Sequence, residues 1–190
     1  MGRRVVALAV VAVGVLAGCA PDPAGMAVPV QPAVTGASPD PPTPAAGEDG
    51  SIPDHENISP FDAGHAAIRY LDPRLRQAVR DAADDARENG VEVRVTSGWR
   101  SMAYQQRLLD EAVVKYGSFE KAREFVNTPE KSTHVSGDAV DIGPTVAADW
   151  VIQHGSDYGL CQTYANEMWH FELMTDPGGK CPAPRSDAAG

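Results

Sequence analysis

Four polar residues in the C-terminal half of the chain have the types and spacing of a metal-dependent hydrolase site. His134 and Asp141 lie in the segment STHVSGDAVDIG, and His170 lies in the segment NEMWHFEL. Two imidazoles and one carboxylate can fill three corners of a tetrahedron around a single Zn²⁺ ion and leave the fourth for water. Zinc lowers the pKa of such a water to about 7, which supplies hydroxide at neutral pH. Glu167 lies three positions before His170 and is placed to act as the base beside that water.

Each part of this pattern is weak alone, and the combination carries the prediction. The string E-x-x-H is common by chance, and an isolated histidine in a polar loop, such as His134, is more often a solvated side chain. Asp141, however, lies in an otherwise apolar stretch, where a buried carboxylate without a partner is costly. A cation would remove that cost. We therefore predict one zinc ion per chain, bound by His134, Asp141 and His170.

The order of the elements that must position these residues favours an α+β fold, since helices come first along the chain and short strands follow. Asp72 and Pro73 open a helix with an N-cap and a proline at its first position, and Gly90 ends it. The residues from Val91 to Val95 alternate as a strand. The remaining predicted elements are a helix over 101–116, a shorter helix over 118–126, a polar loop over 127–137, a strand over 139–142, a helix over 144–155 and a strand over 168–173.

In the last strand, side chains should alternate between two faces. His170 and Glu172 are then predicted to share one face, and Trp169 and Phe171 the other, where both would pack in the core. Glu167 lies at or before the start of this strand, where the chain can turn it towards the metal.

Residues 1–18 are predicted to be a bacterial lipoprotein signal peptide. Arg3 and Arg4 precede an apolar run that is too short for an ordinary spanning helix of about 20 residues. The run ends in LAGC, which resembles the site where a lipoprotein signal is cleaved before a cysteine, here Cys19, that becomes acylated. A plain secretory signal cleaved nearby is the alternative. The lipoprotein interpretation predicts an exported protein that is held on the cell membrane by Cys19 and faces the cell wall or periplasm.

Residues 19–50 are predicted to be a disordered linker rich in proline and alanine. They hold half of the chain's 16 prolines and no aromatic residue. Such a stretch cannot bury enough apolar surface to offset its ordering entropy. The folded domain is predicted to span residues 51–184, followed by a flexible tail over 185–190.

The cysteine count and the net charge restrict the compartment in which the protein works and the partners that it can bind. If Cys19 carries lipid, Cys161 and Cys181 remain and can form a disulfide in an oxidising compartment. The formal net charge is −10, and removal of the signal with Arg3 and Arg4 takes it to about −12. Proteins contact nucleic-acid phosphates through lysine and arginine, so a chain with this negative charge is expected to bind nucleic acid poorly. We predict a monomer that binds no nucleic acid.

Three motifs resemble those of the VanY-like D-alanyl-D-alanine carboxypeptidases, a family of zinc peptidases. The segment STHVSGDAVD is similar to the family pattern S-x-H-x-x-G-x-A-x-D, and EMWH is similar to E-x-W-H. The segment from Ser97 to Gln105 is similar to S-G-Y-R-S-x-x-x-Q. The motifs occur in the family's order, and the resemblance implies a small antiparallel sheet with helices packed on it in one domain.

By the same resemblance, the three predicted ligands bind zinc, and Glu167 is the general base and acid. Arg100 would polarise the scissile carbonyl, stabilise its developing oxyanion or hold a terminal carboxylate. Gln105 and Ser132 would contact the substrate. The implied activity is removal of the terminal D-alanine from peptidoglycan stem peptides.

The motifs leave other functions open. L,D-carboxypeptidases and peptidoglycan endopeptidases share these motifs, so the bond cleaved is undecided. A non-catalytic zinc module that binds the wall would have no use for Glu167 and Arg100. Two histidines and one carboxylate also form the facial triad of non-haem Fe(II) oxygenases, but the base at Glu167 and the predicted export disfavour that class.

Overall fold

The structure of the chain, a computed structural model, describes residues 47–189. The predicted signal peptide, Cys19 and most of the predicted linker lie outside the described residues. Within residues 47–189, no helix combines the length and the apolar character needed to cross a bilayer.

Four antiparallel strands form one sheet in the described part of the chain, in the order β1-β2-β4-β3. The strands are β1 Arg94–Ser97, β2 Ala139–Gly143, β3 Leu160–Tyr164 and β4 Glu167–Leu173. The two strands that carry predicted ligands are neighbours at the centre, and Asp141 of β2 lies directly opposite His170 of β4. The predicted α+β fold with a small antiparallel sheet is thereby confirmed.

Helices precede and interrupt these strands. Those in residues 47–189 are α1 Ala66–Arg69, α2 Pro73–Glu88, α3 Met102–Tyr116, α4 Phe119–Arg123, α5 Thr133–Ser136 and α6 Thr145–His154, followed by a 3₁₀ turn at Gly155–Tyr158.

The two long helices begin and end where local chemistry predicts. The Asp72 carboxylate accepts a hydrogen bond from the backbone N–H of Arg74 at 2.8 Å, and Pro73 takes the first helical position of α2. The Ser101 hydroxyl accepts from the N–H of Tyr104 at 3.1 Å and opens α3. Gly117, with φ of 82°, ends α3 in the left-handed conformation that glycine adopts most easily.

One face of the sheet packs against α2 and α6 to form the main core. Asp141 and His170 belong to the other face. Buried side chains from all three elements meet in this core, among them Leu75, Val79, Val140, Val151 and Phe171. A smaller apolar cluster under α3 and α4 contains Leu109, Ala112 and Ala122. The sheet therefore follows the usual antiparallel arrangement, with one packed face and one face free for function.

Several predicted elements differ in extent. Strand β1 begins only at Arg94, because its pairing with β2 starts opposite Gly143. The polar loop over 127–137 contains the short helix α5, and the predicted helix over 118–126 ends at Arg123. Strand β3 was not predicted, because the stretch LCQTY is too short and mixed to show a clear alternation.

The prediction that Trp169 packs in the core beside Phe171 is wrong. Phe171 is fully buried, whereas Trp169 is 42 % exposed. The register between β3 and β4 shifts between Gln162 and Tyr164, next to Trp169 on β4. Such an irregularity interrupts the alternation of faces that the sequence pattern assumes.

Segments at both ends of the predicted domain pack against it. The buried Asp49 carboxylate accepts a hydrogen bond from Arg107 of α3 at 2.6 Å. At the other end, the N–H of Arg185 donates to the carbonyl of Thr163 in β3 at 2.9 Å. The packed chain therefore extends beyond the predicted boundaries of 51–184 in both directions.

Cys161 and Cys181 form a disulfide, with an S–S distance of 1.97 Å and a Cα–Cα distance of 5.6 Å, as the sequence predicted. The bond ties the chain beyond the sheet back to the edge strand β3.

Candidate active site

His134 is positioned by α5 and by the loop after β1. Its Nδ1 donates a hydrogen bond to the carbonyl of Gly98 at 2.8 Å, and since a carbonyl can only accept, Nε2 is the nitrogen left without a hydrogen. Gly98 is needed there, because a Cβ atom would come within 2.2 Å of the Ala67 carbonyl oxygen. Gly137 ends α5 with φ of 84°, and a Cβ atom on it would come within 2.4 Å of the Tyr70 carbonyl oxygen.

His170 is held from the opposite side by Glu172, as the predicted shared face requires. Oε1 of Glu172 lies 3.0 Å from Nε2 of His170 and also accepts from the Thr133 hydroxyl at 3.0 Å. Burial raises the pKa of Glu172, but the hydrogen bond and charge of His170 outweigh burial and keep the pKa below its ordinary value. The ionised carboxylate accepts from Nε2–H, and Nδ1 of His170 is directed at the other candidate ligands.

The three candidate ligand atoms form a nearly equilateral triangle. Nε2 of His134 lies 3.2 Å from Nδ1 of His170 and 3.4 Å from Oδ1 of Asp141, and the third side, between His170 and Asp141, measures 3.2 Å. Ligands bound about 2.0–2.1 Å from a tetrahedral zinc ion stand about 3.3 Å from one another. The structure thus brings together all three predicted ligands at the separation that zinc requires.

The electrostatics of the cluster also fit a cation. Within the described part of the chain, Oδ1 of Asp141 and Oε1 of Glu167 are buried and accept no hydrogen bond. Although burial opposes ionisation, the two neighbouring histidines hold the pKa of Asp141 well below its usual range. Burial, together with the charge of Arg100, lowers the pKa of His134. An ionised carboxylate and a neutral imidazole are the states in which Asp141 and His134 bind metals. Burial opposes protonation of His170, but hydrogen bonds to neighbouring carboxylates outweigh burial and raise its pKa to about 9, so a bound metal ion would displace a proton from this imidazole.

Glu167 begins β4 and lies at the edge of the ligand cluster. Its Oε2 is 3.8 Å from Nδ1 of His170, and its side chain is 8 % exposed. Burial raises the pKa of Glu167 to about 7, and the negative charge of Asp141 adds to the rise against the opposing effect of His170. A carboxyl group with such a pKa can both accept and return a proton near neutral pH.

Arg100 is fixed by the other residues of its own motif. Its Nε donates to the Ser97 hydroxyl at 2.8 Å, Nη1 to Oε1 of Gln105 at 3.0 Å and Nη2 to Oδ2 of Asp141 at 3.1 Å. The Gln105 amide also donates to the Asn127 carbonyl at 2.8 Å. Both ends of this amide make hydrogen bonds within the protein, so Gln105 positions Arg100. Its predicted contact with the substrate stays a prediction.

The three candidate ligands, Glu167 and Arg100 open onto one pocket of about 310 Å³. Ser132 lies in its wall and precedes α5 without capping it through its side chain, so its hydroxyl is available to a ligand. The predicted site residues Arg100, Gln105, Ser132, His134, Asp141, Glu167 and His170 all line this pocket.

Several residues at the site have no role there predicted from the sequence, among them Tyr164, Trp169, Ala188 and Glu172. Tyr164 packs its ring 4.9 Å from the His170 ring, and Trp169 and Ala188 also line the pocket. Glu172 orients His170 from outside the pocket. The shared face of β4 was a signal for Glu172, but nothing in the sequence pattern marked the other three.

A sequence model of the VanY family, described as D-alanyl-D-alanine carboxypeptidase, matches residues 68–176, which is more than half of the chain. The chain belongs to the VanY family. The match includes the three motifs that carried the resemblance and every candidate site residue from Arg100 to Glu172. The predicted family is therefore confirmed.

Individual relatives of this VanY-family chain are distant in sequence. The D-alanyl-D-alanine carboxypeptidase of Enterococcus faecalis (strain ATCC 700802 / V583) is 28 % identical over 129 residues, covering 55 % of this chain and 48 % of the relative. The chain spans about half the length of the curated relatives it matches.

Two solved structures share the fold. A mutant of the vancomycin resistance D,D-pentapeptidase VanY from a VanB-type resistance cassette, in complex with Zn(II), is 28 % identical with a TM-score of 0.51. The match covers 54 % of this chain and 71 % of that one. The LD-carboxypeptidase LdcB, whose structure addresses peptidoglycan recognition, is 26 % identical with a TM-score of 0.51, over 65 % of this chain and 67 % of that one.

Proposed function

We propose that this VanY-family protein is a zinc-dependent carboxypeptidase that removes the terminal D-alanine from peptidoglycan stem peptides. The observation that carries the proposal is a pocket in which a zinc-sized triangle of His134, Asp141 and His170 adjoins a carboxyl group with a pKa of about 7 and a guanidinium side chain that is 14 % exposed. The likeness to a D,D-pentapeptidase in complex with Zn(II) supports both the metal and the bond.

His134, Asp141 and His170 would hold the ion, which when bound supplies Lewis acidity and an activated water. Glu167 takes a proton from the attacking water and returns it to the leaving amine, because its raised pKa makes both transfers favourable near neutral pH. Within the described residues, Oε1 of Glu167 accepts no hydrogen bond, so this oxygen is available to take up the proton.

Arg100 stabilises the negative charge that develops on the scissile carbonyl oxygen. Its three hydrogen bonds to Ser97, Gln105 and Asp141 fix the guanidinium before substrate arrives. A preorganised donor of this kind lowers the barrier by about 3 kcal/mol. Ser132, with a hydroxyl available in the same wall, is our candidate for holding the peptide.

L,D-carboxypeptidase activity is the second candidate. The structure of LdcB matches this chain with the same TM-score as the D,D-pentapeptidase and covers a larger share of it. The two activities differ in the residue that precedes the scissile bond, so the substrate itself must decide between them.

The deciding experiment is mass spectrometry of purified muropeptides incubated with the protein, with and without a chelator. Chelator-sensitive loss of one alanine from pentapeptides would establish the D,D activity, and the same loss from tetrapeptides would establish the L,D activity. Glu167→Gln should abolish either product while zinc content, measured by atomic emission, stays that of the wild type. Full activity of Glu167→Gln would overturn the assignment of the base, and zinc-loaded protein without any product would favour a wall-binding module.

We also propose that the protein is a lipoprotein on the outer face of the cell membrane. The proposal is supported by the LAGC segment with Cys19, after an apolar run preceded by two arginines. Two or more acyl chains are sufficient for stable anchoring. Labelled palmitate should enter the wild-type protein and be absent from Cys19→Ser; equal labelling of both would contradict lipidation at this residue.

A further inference from the structure

The chain after β4 returns along the outer edge of the sheet. β3 is an edge strand, and Cys181 is bonded to Cys161 within it. Four residues further on, Arg185 donates its N–H to the Thr163 carbonyl at 2.9 Å, and its own carbonyl accepts from Ala165 at 2.7 Å. A covalent bond and a pair of backbone hydrogen bonds therefore hold this returning segment in register beside β3.

Residues 185–189 then cross to the end of α4. The N–H of Ala188 donates to the Glu124 carbonyl at 3.4 Å, and Nη2 of Arg123 donates to the Ala189 carbonyl at 3.2 Å. The segment thus connects the sheet edge to α4 and passes along one side of the candidate active-site pocket. Its position is fixed at both ends, so it forms part of the wall.

Ala188 is the residue of this segment that reaches the pocket. Its exposed fraction is 9 %, and it lines the same cavity as Glu167, Tyr164 and Phe125. A methyl group offers neither a proton nor a hydrogen bond. Its effect on a ligand is confined to the space it occupies in a cavity of about 310 Å³.

We propose that residues 185–189 are a specificity element, in which Ala188 limits the size of the peptide that can lie beside Glu167. This inference rests on the proposed peptidase function. A wall made of anchored backbone cannot retreat easily from a bulky substrate group, because moving it would break hydrogen bonds at the sheet edge and at α4. Small residues next to the scissile bond, such as alanine, are therefore accepted, and large ones are excluded.

The first test is Ala188→Trp, compared with Ala183→Trp as a matched control. Ala183 lies in the same returning segment with an exposed side chain. We expect Ala188→Trp to lower kcat/KM for an alanine-terminated stem peptide by about tenfold or more, mainly through KM, as for other steric exclusions from a pocket. Ala183→Trp should match the wild type. Zinc affinity, measured by chelator competition, should be the same in all three proteins.

The second test is a chain that stops at Pro184, which keeps the disulfide and removes the wall. Two peptide series vary one residue on either side of the scissile bond from alanine to phenylalanine. We expect the wild type to favour the small peptides, and the shortened protein to lose that preference by about tenfold in at least one series. Thermal melting of each variant shows whether it is folded. If the shortened protein does not fold, the KM of Ala188→Trp still tests the proposal.

The outcomes separate the two proposals. A wild type that cleaves no peptide in either series refutes the peptidase function itself. A wild type that cleaves alanine peptides, with an unchanged size preference in the shortened protein and an unchanged KM in Ala188→Trp, overturns only the specificity element.

Discussion

Nε2 of His170 lies 3.0 Å from Oε1 of Glu172, and this contact decides which nitrogen of the ring faces Asp141. The carboxylate can only accept, so it selects the tautomer with hydrogen on Nε2 and presents Nδ1 to the metal position. Thr133, next to His134, donates to the same oxygen and links the supports of both histidines. Carboxylates in this role commonly tune the affinity of a metal site.

Replacing Glu172 should therefore weaken metal binding. We expect Glu172→Ala to lower zinc affinity roughly 10–100-fold, and Glu172→Gln, which can still accept a hydrogen bond, to have a smaller effect. Competition with a chromophoric chelator measures the affinity without reference to activity. Glu88→Ala, on the exposed side of α2, is the control. Equal affinities for Glu172→Ala and the control would show that His170 needs no such support.

Arg100→Lys tests the role of the guanidinium. Lysine keeps the charge but cannot donate at once to Ser97, Gln105 and Asp141, so the donor is no longer preorganised. We expect kcat to fall about 10²-fold with little change in KM. Steady-state kinetics on the stem peptide that the protein cleaves make the distinction. A large rise in KM at unchanged kcat would instead assign Arg100 to the terminal carboxylate of the substrate.

The disulfide should contribute measurably to stability. Cys161 and Cys181 are 20 residues apart in sequence, and closing a loop of that size stabilises a fold by about 3 kcal/mol. We expect the double variant Cys161→Ser, Cys181→Ser to lose about that much free energy of unfolding in urea titration. Reductant should shift the midpoint of the wild type towards that of the variant and leave the variant unchanged. Coincident midpoints in oxidising buffer would contradict the prediction.

Asp49 gives a pH-dependent contribution to stability. Burial favours its neutral acid, but hydrogen bonds from Ser51 and Arg107 outweigh burial and lower the pKa of Asp49 below its ordinary value of 3.8. Because the folded form has the lower pKa, the unfolded chain binds the proton more readily. The contribution is therefore complete above the ordinary pKa and is lost as the pH falls through the folded-state value.

Asp49→Asn should lower the free energy of unfolding by about 1 kcal/mol at pH 7, a modest value because Arg107 is half exposed. The difference from the wild type should shrink as the pH falls below about 4. Urea titrations across this pH range provide the measurement, with Asp54→Asn at an exposed position as the control. A difference that is constant with pH would show that the charge of Asp49 contributes nothing.

Local signals in the sequence were sufficient for the long helices and for the composition of the site. The helix boundaries at Asp72 with Pro73, at Ser101 and at Gly117 depend only on contacts within the adjacent helical turn. They can therefore be predicted without knowledge of the fold. The motifs that contain His134, Asp141 and His170 predicted the ligands, and the order of the elements predicted the fold class.

Other features depend on contacts between distant parts of the chain. β3 is a strand because it pairs with β4, and Trp169 is exposed because the register between these strands shifts beside it. The engaged amide of Gln105 became visible only with Asn127 and Arg100 in place.

The sequence by itself determined which residue types were available for chemistry, because a ligand set and a helix cap are properties of short segments. Tertiary structure alone decided how far apart the ligand atoms stand, how deeply Glu167 is buried and that Ala188 reaches the pocket wall. Those quantities depend on strand register and on packing between segments far apart in the chain. No short sequence pattern encodes these quantities, because each depends on the shapes of two distant segments that pack against each other.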